Sequence, residues 1–240
     1  MESCSRNSEA DFRCVQCGFP IKTLYIQYSP GNIRLMKCGN CTAVADEYIE
    51  CEMMILIIDL ILHKPKAYRH LFYNMFSKES VNFEGLLWKS VLAYLILDFY
   101  RMWVLSTNEK ERSLPPTVAS LLLKFGKMLT GVIFGNLVFL CVVFYAVRKF
   151  LRASSGFYGW KQILLVVLFS SYFKIFLTAM MVWEFPSSVI FIVDIFVISS
   201  NIVALKVVTN SEMMRCLAVS AVAHGVKFLA CLNTSVCSPC

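Results

Sequence analysis

The sequence predicts an α-helical polytopic membrane protein, with about four transmembrane helices behind a small cysteine-built N-terminal module. Three observations carry this. The 240 residues are 58% hydrophobic and only 16% charged, against about a quarter charged in globular chains. Mean hydropathy is +0.62. Beyond residue 85 the apolar residues gather into runs of about 20, long enough to cross a hydrocarbon core of ~30 Å. Near the start, four of the eleven cysteines form two C-x-x-C pairs. The net charge of +7 is modest and reports loop orientation rather than nucleic-acid binding. No basic, aromatic-interleaved face points to a nucleic acid.

Residues 1–11 read as a polar, disordered tail without the apolar stretch of a signal peptide. The module proper opens at Cys14-Val-Gln-Cys17-Gly18 and closes at Cys38-Gly-Asn-Cys41. Each pair makes a knuckle that aims two sulfurs at one point, and two knuckles at this separation complete a tetrahedron around Zn²⁺. Gly18 and Gly39 stand where a knuckle often needs an unhindered backbone. Residues 23–28 and 33–37 read as strands joined by the turn Ser29-Pro-Gly-Asn32. This is the pattern of a zinc ribbon, with Cys14, Cys17, Cys38 and Cys41 as ligands of a structural Zn²⁺. Four thiolates leave no open position for catalysis. A redox dithiol or a pair of disulfides is the alternative, and the doubled motif favours zinc. Thiolate ligands also favour a reducing compartment, which places the ribbon in the cytosol.

Residues 53–62 are strongly apolar but too short to span, and read as a helix buried against the ribbon or lying shallowly in the membrane. Pro65 suits the first turn of the next helix. There Tyr68, Leu71, Phe72, Met75 and Phe76 share one face, and Lys66, Arg69, His70 and Lys78 supply much of the polar side. That pattern is an interfacial helix on anionic lipid, or one packed on the protein's own core.

A zinc ribbon followed by Asp46-Glu-Tyr-Ile-Glu50, Ile58-Asp-Leu60, Leu62-His-Lys64, Ala67-Tyr-Arg-His-Leu71 and Asn74 resembles the homology domain of the Arv family. The resemblance covers roughly residues 12–76 and is looser beyond residue 80. It implies that the four cysteines are ligands, and it marks Asp46, Tyr48, Glu50, Asp59, Tyr68, Arg69, His70 and Asn74 as a signature without assigning roles. Glu47 and Cys51 depart from the family pattern. The implied setting is the endoplasmic-reticulum membrane. The implied function is intracellular sterol and lipid transport and membrane lipid homeostasis. The alternative is a scaffold or flippase-type factor supporting glycosylphosphatidylinositol precursor or sphingolipid synthesis. Membrane lipids are the implied partners, with lipid-synthesis enzymes as a second class.

The organisation is therefore a tail over 1–11, ribbon plus interfacial helices over 12–78, and a transmembrane helical bundle over 79–240. The four spans fall at about 86–105, 128–147, 162–182 and 189–208. Residues 214–232 form a weaker fifth candidate, read as a helix at the membrane surface or in the bundle. Basic residues before the first span and between the second and third place the ribbon and the C-terminus in the cytosol, with Glu184 lumenal. The C-terminal cysteines read as unmodified or acylated thiols.

Ionisable groups inside spans are costly and default to functional candidates. Lys174 and Asp194 flank the turn near Pro186 at depths that differ by ~6 Å, given 1.5 Å per helical residue. Asn201 shares a face with Asp194, and Ser171 shares one with Lys174. Ser171, Lys174, Asp194 and Asn201 thus form a predicted polar seam, for lipid handling or for holding the bundle together. Asp98 and Arg101 read as a local pair. No phosphate loop, nucleophile elbow or H-E-x-x-H is visible, so the expectation is a protein that is not an enzyme.

Overall fold

The computed structural model describes residues 12–76, 83–108, 118–150, 160–177, 179, 183, 186 and 188–233. The predicted tail, Lys78, Glu184 and the terminal cysteines Cys237 and Cys240 lie outside them. The chain divides into two compact units, Met1–Phe83 and Glu84–Cys240.

In the first unit, β1 (Phe12–Arg13) pairs antiparallel with β2 (Pro20–Ile21), and β3 (Tyr25–Ser29) pairs with β4 (Asn32–Leu35). Gly31, at φ +83, makes the β3–β4 turn. The first knuckle turns at Gly18, φ +79, and the second at Thr42, φ 59. Gly18 N–H donates to Cys14 O at 2.8 Å, and Thr42 N–H to Cys38 O at 3.0 Å. The left-handed residue is thus the one after the second cysteine of each pair. In the second knuckle it is Thr42 rather than the predicted Gly39, although a β-branched residue is strained there.

A single 3₁₀ turn, Glu47–Ile49, leads to α1 (Met53–Ile61) and α2 (Pro65–Arg69). The chain then continues as a π-helical turn, His70–Met75. Tyr68 is fully buried, Leu71 is buried, Phe72 and Phe76 are half-buried, and Met75 alone of the five is exposed. The face expected to meet lipid is thus largely turned onto the unit's own core. The large apolar surface lies on α1 instead, where Met53, Met54, Ile55, Ile57 and Ile58 are exposed, as is Leu62 at its C-cap.

The second unit is helical: α3 (Phe83–Asn108), α4 (Val118–Phe150), α5 (Trp160–Ser170), α6 (Ser188–Thr209) and α7 (Met213–Asn233). α4 packs along α7, α7 on α6, and α6 on α5. The core where they meet includes Phe139, Val143, Val167, Leu205, Cys216 and Ala223. Among the described residues, three helices are long and apolar enough to cross a membrane: Val118–Phe150, Ser188–Thr209 and Met213–Ala230. The predicted weak fifth helix is therefore one of the three. The first predicted span forms a helix of 26 residues, but Glu84, Lys89, Asp98 and Arg101 dilute its apolar character. The third is broken, because α5 ends at Ser170 and a 3₁₀ turn, Tyr172–Ile175, follows.

Candidate functional site

The four Sγ atoms of Cys14, Cys17, Cys38 and Cys41 all lie within 4.8 Å of one another. Cys14 and Cys41 sulfurs are 3.7 Å apart, and those of Cys17 and Cys38 are 3.6 Å apart. A metal bound to four sulfurs at ~2.3 Å requires a tetrahedron with edges of ~3.8 Å. The cluster can hold a metal ion with little rearrangement. Asn40 N–H points at Cys38 Sγ, 3.4 Å away, as a knuckle amide that stabilises a thiolate does. Burial pushes the Cys14 thiol up to about 12. Burial resists ionisation of Cys17 too, but hydrogen bonds from the Phe19 backbone and Asn40 outweigh it and bring that thiol to about 6. Metal entry must therefore expel protons, Cys14's among them, so occupancy falls as pH falls.

Around this cluster the signature residues form one hydrogen-bonded junction. Asp46 is fully buried. Its Oδ1 accepts from Tyr48 N–H at 3.0 Å, capping the 3₁₀ turn. Its Oδ2 meets His70 Nδ1 at 2.7 Å and accepts from Asn74 Nδ2 at 2.6 Å. Asn74 in turn grips β1, accepting from Arg13 N–H at 2.9 Å and donating to Arg13 O at 3.0 Å. Arg69 donates to the carbonyls of Val15 and Gln16, at 2.9 and 2.8 Å, inside the first knuckle. Tyr48 Oη donates to Asp59 at 2.8 Å, and Lys64 pairs with the same carboxylate at 2.7 Å. Lys64 holds the Asp59 carboxyl below its usual range. Tyr68 Oη reaches Leu60 O at 3.4 Å. Glu50 is exposed and, among the described residues, makes no such bond. These residues fasten α1 and α2 to the knuckle that carries Cys14 and Cys17.

Asp46→Ala is expected to lose on the order of 3 kcal/mol, because it leaves His70, Asn74 and the Tyr48 amide without their buried acceptor. Hydrogen exchange over residues 65–76 in the full-length protein would detect it. Unchanged protection there would show that the junction does not depend on this carboxylate.

In the second unit the structure groups the predicted seam differently. Lys174 Nζ donates to Asp98 Oδ1 at 2.5 Å, not to Asp194. Asp194 instead accepts from Arg101 Nε and Nη2, one edge of the guanidinium. The local Asp98–Arg101 pair is thus replaced by two long-range pairs. Lys227 Nζ, on α7, donates to the other oxygen of Asp98 at 2.6 Å. Asn201 accepts from Ser170 Oγ and lies 3.2 Å from His224 Nε2. Ser171 Oγ donates back to Val167 O at 2.8 Å. Tyr94, whose ring centroid is 3.6 Å from Lys174 Nζ, completes the cluster. Sequence reasoning missed Tyr94, Lys227 and His224. One signal was available: Tyr94, Asp98 and Arg101 fall at i, i+4 and i+7, a single helical face.

The Arv1-like family matches residues 13–205 of the chain. Protein ARV 1 of Arabidopsis thaliana is 53% identical over 220 residues, which is 92% of this chain and 87% of the relative. Protein ARV 2 of the same plant is 54% identical over 217 residues, 90% and 92% of the two chains. Protein ARV1 of Homo sapiens is 27% identical over 213 residues, 85% of this chain and 74% of the human one. No solved structure matches.

Proposed function

This chain belongs to the Arv1-like family, and from that premise we propose that it acts in membrane lipid homeostasis, mediating movement of sterols or glycolipid precursors at the endoplasmic-reticulum membrane. The observation that carries the reading is that one chain holds both a metal-ready cysteine module and an apolar helical unit that buries a connected polar cluster. Zn²⁺ is the metal, because four thiolates in tetrahedral reach suit it best. The module is cytosolic, where thiols stay reduced. The protein does no bond-making chemistry of its own; its partners are lipids, and the enzymes that make them. Purified protein in vesicles should speed exchange of a labelled sterol or glycolipid precursor. Lipid-synthesis enzymes co-purifying with a chain that moves no lipid would replace this reading with a scaffold.

Helix α1 supplies the leaflet contact in this reading. Its exposed Met54, Ile58 and Leu62 repeat every four residues, a stripe suited to the acyl boundary. Burying a side chain of this size is worth about 1.5–3 kcal/mol. Met54→Glu with Ile58→Glu should therefore weaken binding of a 1–83 fragment to anionic vesicles by more than about tenfold. Phe72→Glu with Phe76→Glu should act mainly by loosening the fold. Equal vesicle binding by the α1 variant and the unaltered fragment would remove α1 from the interface.

A further inference from the structure

Two ammonium groups share a single carboxylate inside the helical unit. Asp98 is 4% exposed and gives one oxygen to Lys174, which is 4% exposed, and the other to Lys227. Among the described residues, neither lysine bonds a second carboxylate. The neighbouring carboxylate of Asp194 is held by Arg101. An ammonium group has three donors, and Asp98 uses one from each lysine. The remaining donors face aromatic rings: Tyr94 under both lysines, and Phe139 at 5.6 Å from Lys227. A charge left over in low dielectric is strongly disfavoured unless an anion answers it.

Three further observations point to an anion with a lipid tail. The hydroxyl of Tyr94, a residue 8% exposed, has no hydrogen-bond partner among the described residues. Both amide atoms of Asn136, 4% exposed, also lack partners. Asn136 lies one helical turn before Phe139, on the face that meets Lys227. Finally, Tyr94 and Ser171 also line a groove of about 420 Å³ whose other walls include Leu97, Leu168 and Ile175. Its lining is almost wholly apolar, as an acyl chain requires.

We propose that Lys174, Lys227 and Tyr94 bind the phosphate of an anionic phospholipid, with an acyl chain in the groove between α3 and α5. A phosphate oxygen takes the free donors of both lysines, and the Tyr94 hydroxyl donates a further bond. A sterol, with one hydroxyl and no charge, leaves the second ammonium unanswered. The site therefore selects a phosphodiester or phosphomonoester lipid over a sterol. This rests on the lipid-handling reading above and names the class of lipid bound.

The test uses the full-length protein, delipidated in non-ionic detergent and offered equal amounts of phosphatidic acid, phosphatidylinositol, phosphatidylcholine and cholesterol. Native mass spectrometry reads which lipid is retained. The unaltered protein should hold the two anionic lipids at least about tenfold better than phosphatidylcholine or cholesterol. Lys227→Met leaves the Asp98–Lys174 pair balanced, so it should fold and lose that preference. Lys227→Arg should keep it, and so should Lys89→Met, a change at an exposed lysine outside the cluster. Absence of an anionic preference in the unaltered protein would overturn the site, whatever the variants do. So would a preference that survives Lys227→Met. Displacement of bound lipid by equimolar glycerol 3-phosphate would show a soluble-anion site and overturn the lipid assignment. A chain that speeds sterol exchange in vesicles yet retains no anionic lipid would sink this inference alone. A chain that retains anionic lipid but moves none would sink the transport reading alone.

Discussion

Cys14→Ser should leave the full-length protein without bound zinc and with an unravelled N-terminal unit, whereas the unaltered chain should carry one zinc ion. The expected effect is large, because structural zinc sites of this kind contribute about 10–16 kcal/mol of apparent binding energy at neutral pH. Little else holds this region together. Strands β1 and β2 are two residues each, and all five residues of β3 are exposed. The buried apolar residues nearest the knuckles are Val15, Leu24 and Ala45. The junction through Asp46, Arg69 and Asn74 presupposes a formed first knuckle, since Arg69 bonds to carbonyls within it. Loss of metal should therefore expose α2 as well as the strands. Metal analysis beside hydrogen exchange over residues 12–76 would check this. Zinc retained by the Cys14→Ser protein at one per chain, with unaltered protection, would refute a structural role. Acidification should mimic the substitution, because protons compete for the sulfurs, and metal should be lost progressively as pH falls.

The metal-ready cluster was readable in the sequence because its information is local. Two C-x-x-C pairs fix two sulfurs each, and only their separation remains to be judged. The signature residues were readable as a string but not as a junction. Asn74 bonds Arg13 across 61 residues, and Arg69 bonds Val15 across 54; no periodicity encodes such partners. The π-helical turn at His70–Met75 was also hidden, because the apolar pattern from Tyr68 to Phe76 fits an ordinary helix. That pattern gave the correct apolar face but not what covers it.

In the helical unit the sequence marked the costly residues and mispaired them. Matching Lys174 to Asp194 by depth within one hairpin assumes an unbroken helix through Ser171. The 3₁₀ turn at Tyr172–Ile175 re-aims Lys174, and α3 brings Asp98 to it. Arg101 then becomes the partner of Asp194 rather than of its near neighbour Asp98. Hydropathy gives depth and helical spacing gives a face, but neither says which helix lies alongside. Lys227 was missed for the same reason. It sits in a helix rich in Ala, and only its contact with Asp98 sets it apart.

Asp98→Asn should be the most damaging single change in the helical unit. It leaves Lys174 and Lys227 beside Tyr94 with no carboxylate from the protein between them, and breaking a buried pair in this way costs about 3–5 kcal/mol. Steady-state protein level should fall sharply, and detergent-solubilised protein should melt earlier. The penalty is the orphaned charge rather than the lost bonds. Asp98→Leu combined with Lys174→Met and Lys227→Met removes every orphan and should restore abundance, since packed apolar residues replace buried ion groups at little or no cost. A second cycle tests the pairing itself. Lys174→Met and Asp194→Leu belong to different pairs, so their effects should add to within about 0.5 kcal/mol. Lys174→Met and Asp98→Leu share a pair and should couple by well over that amount. Wild-type abundance in Asp98→Asn would show that this carboxylate is not needed to balance the two lysines. Strong coupling between positions 174 and 194, with none between 174 and 98, would restore the pairing that the hairpin alone suggests.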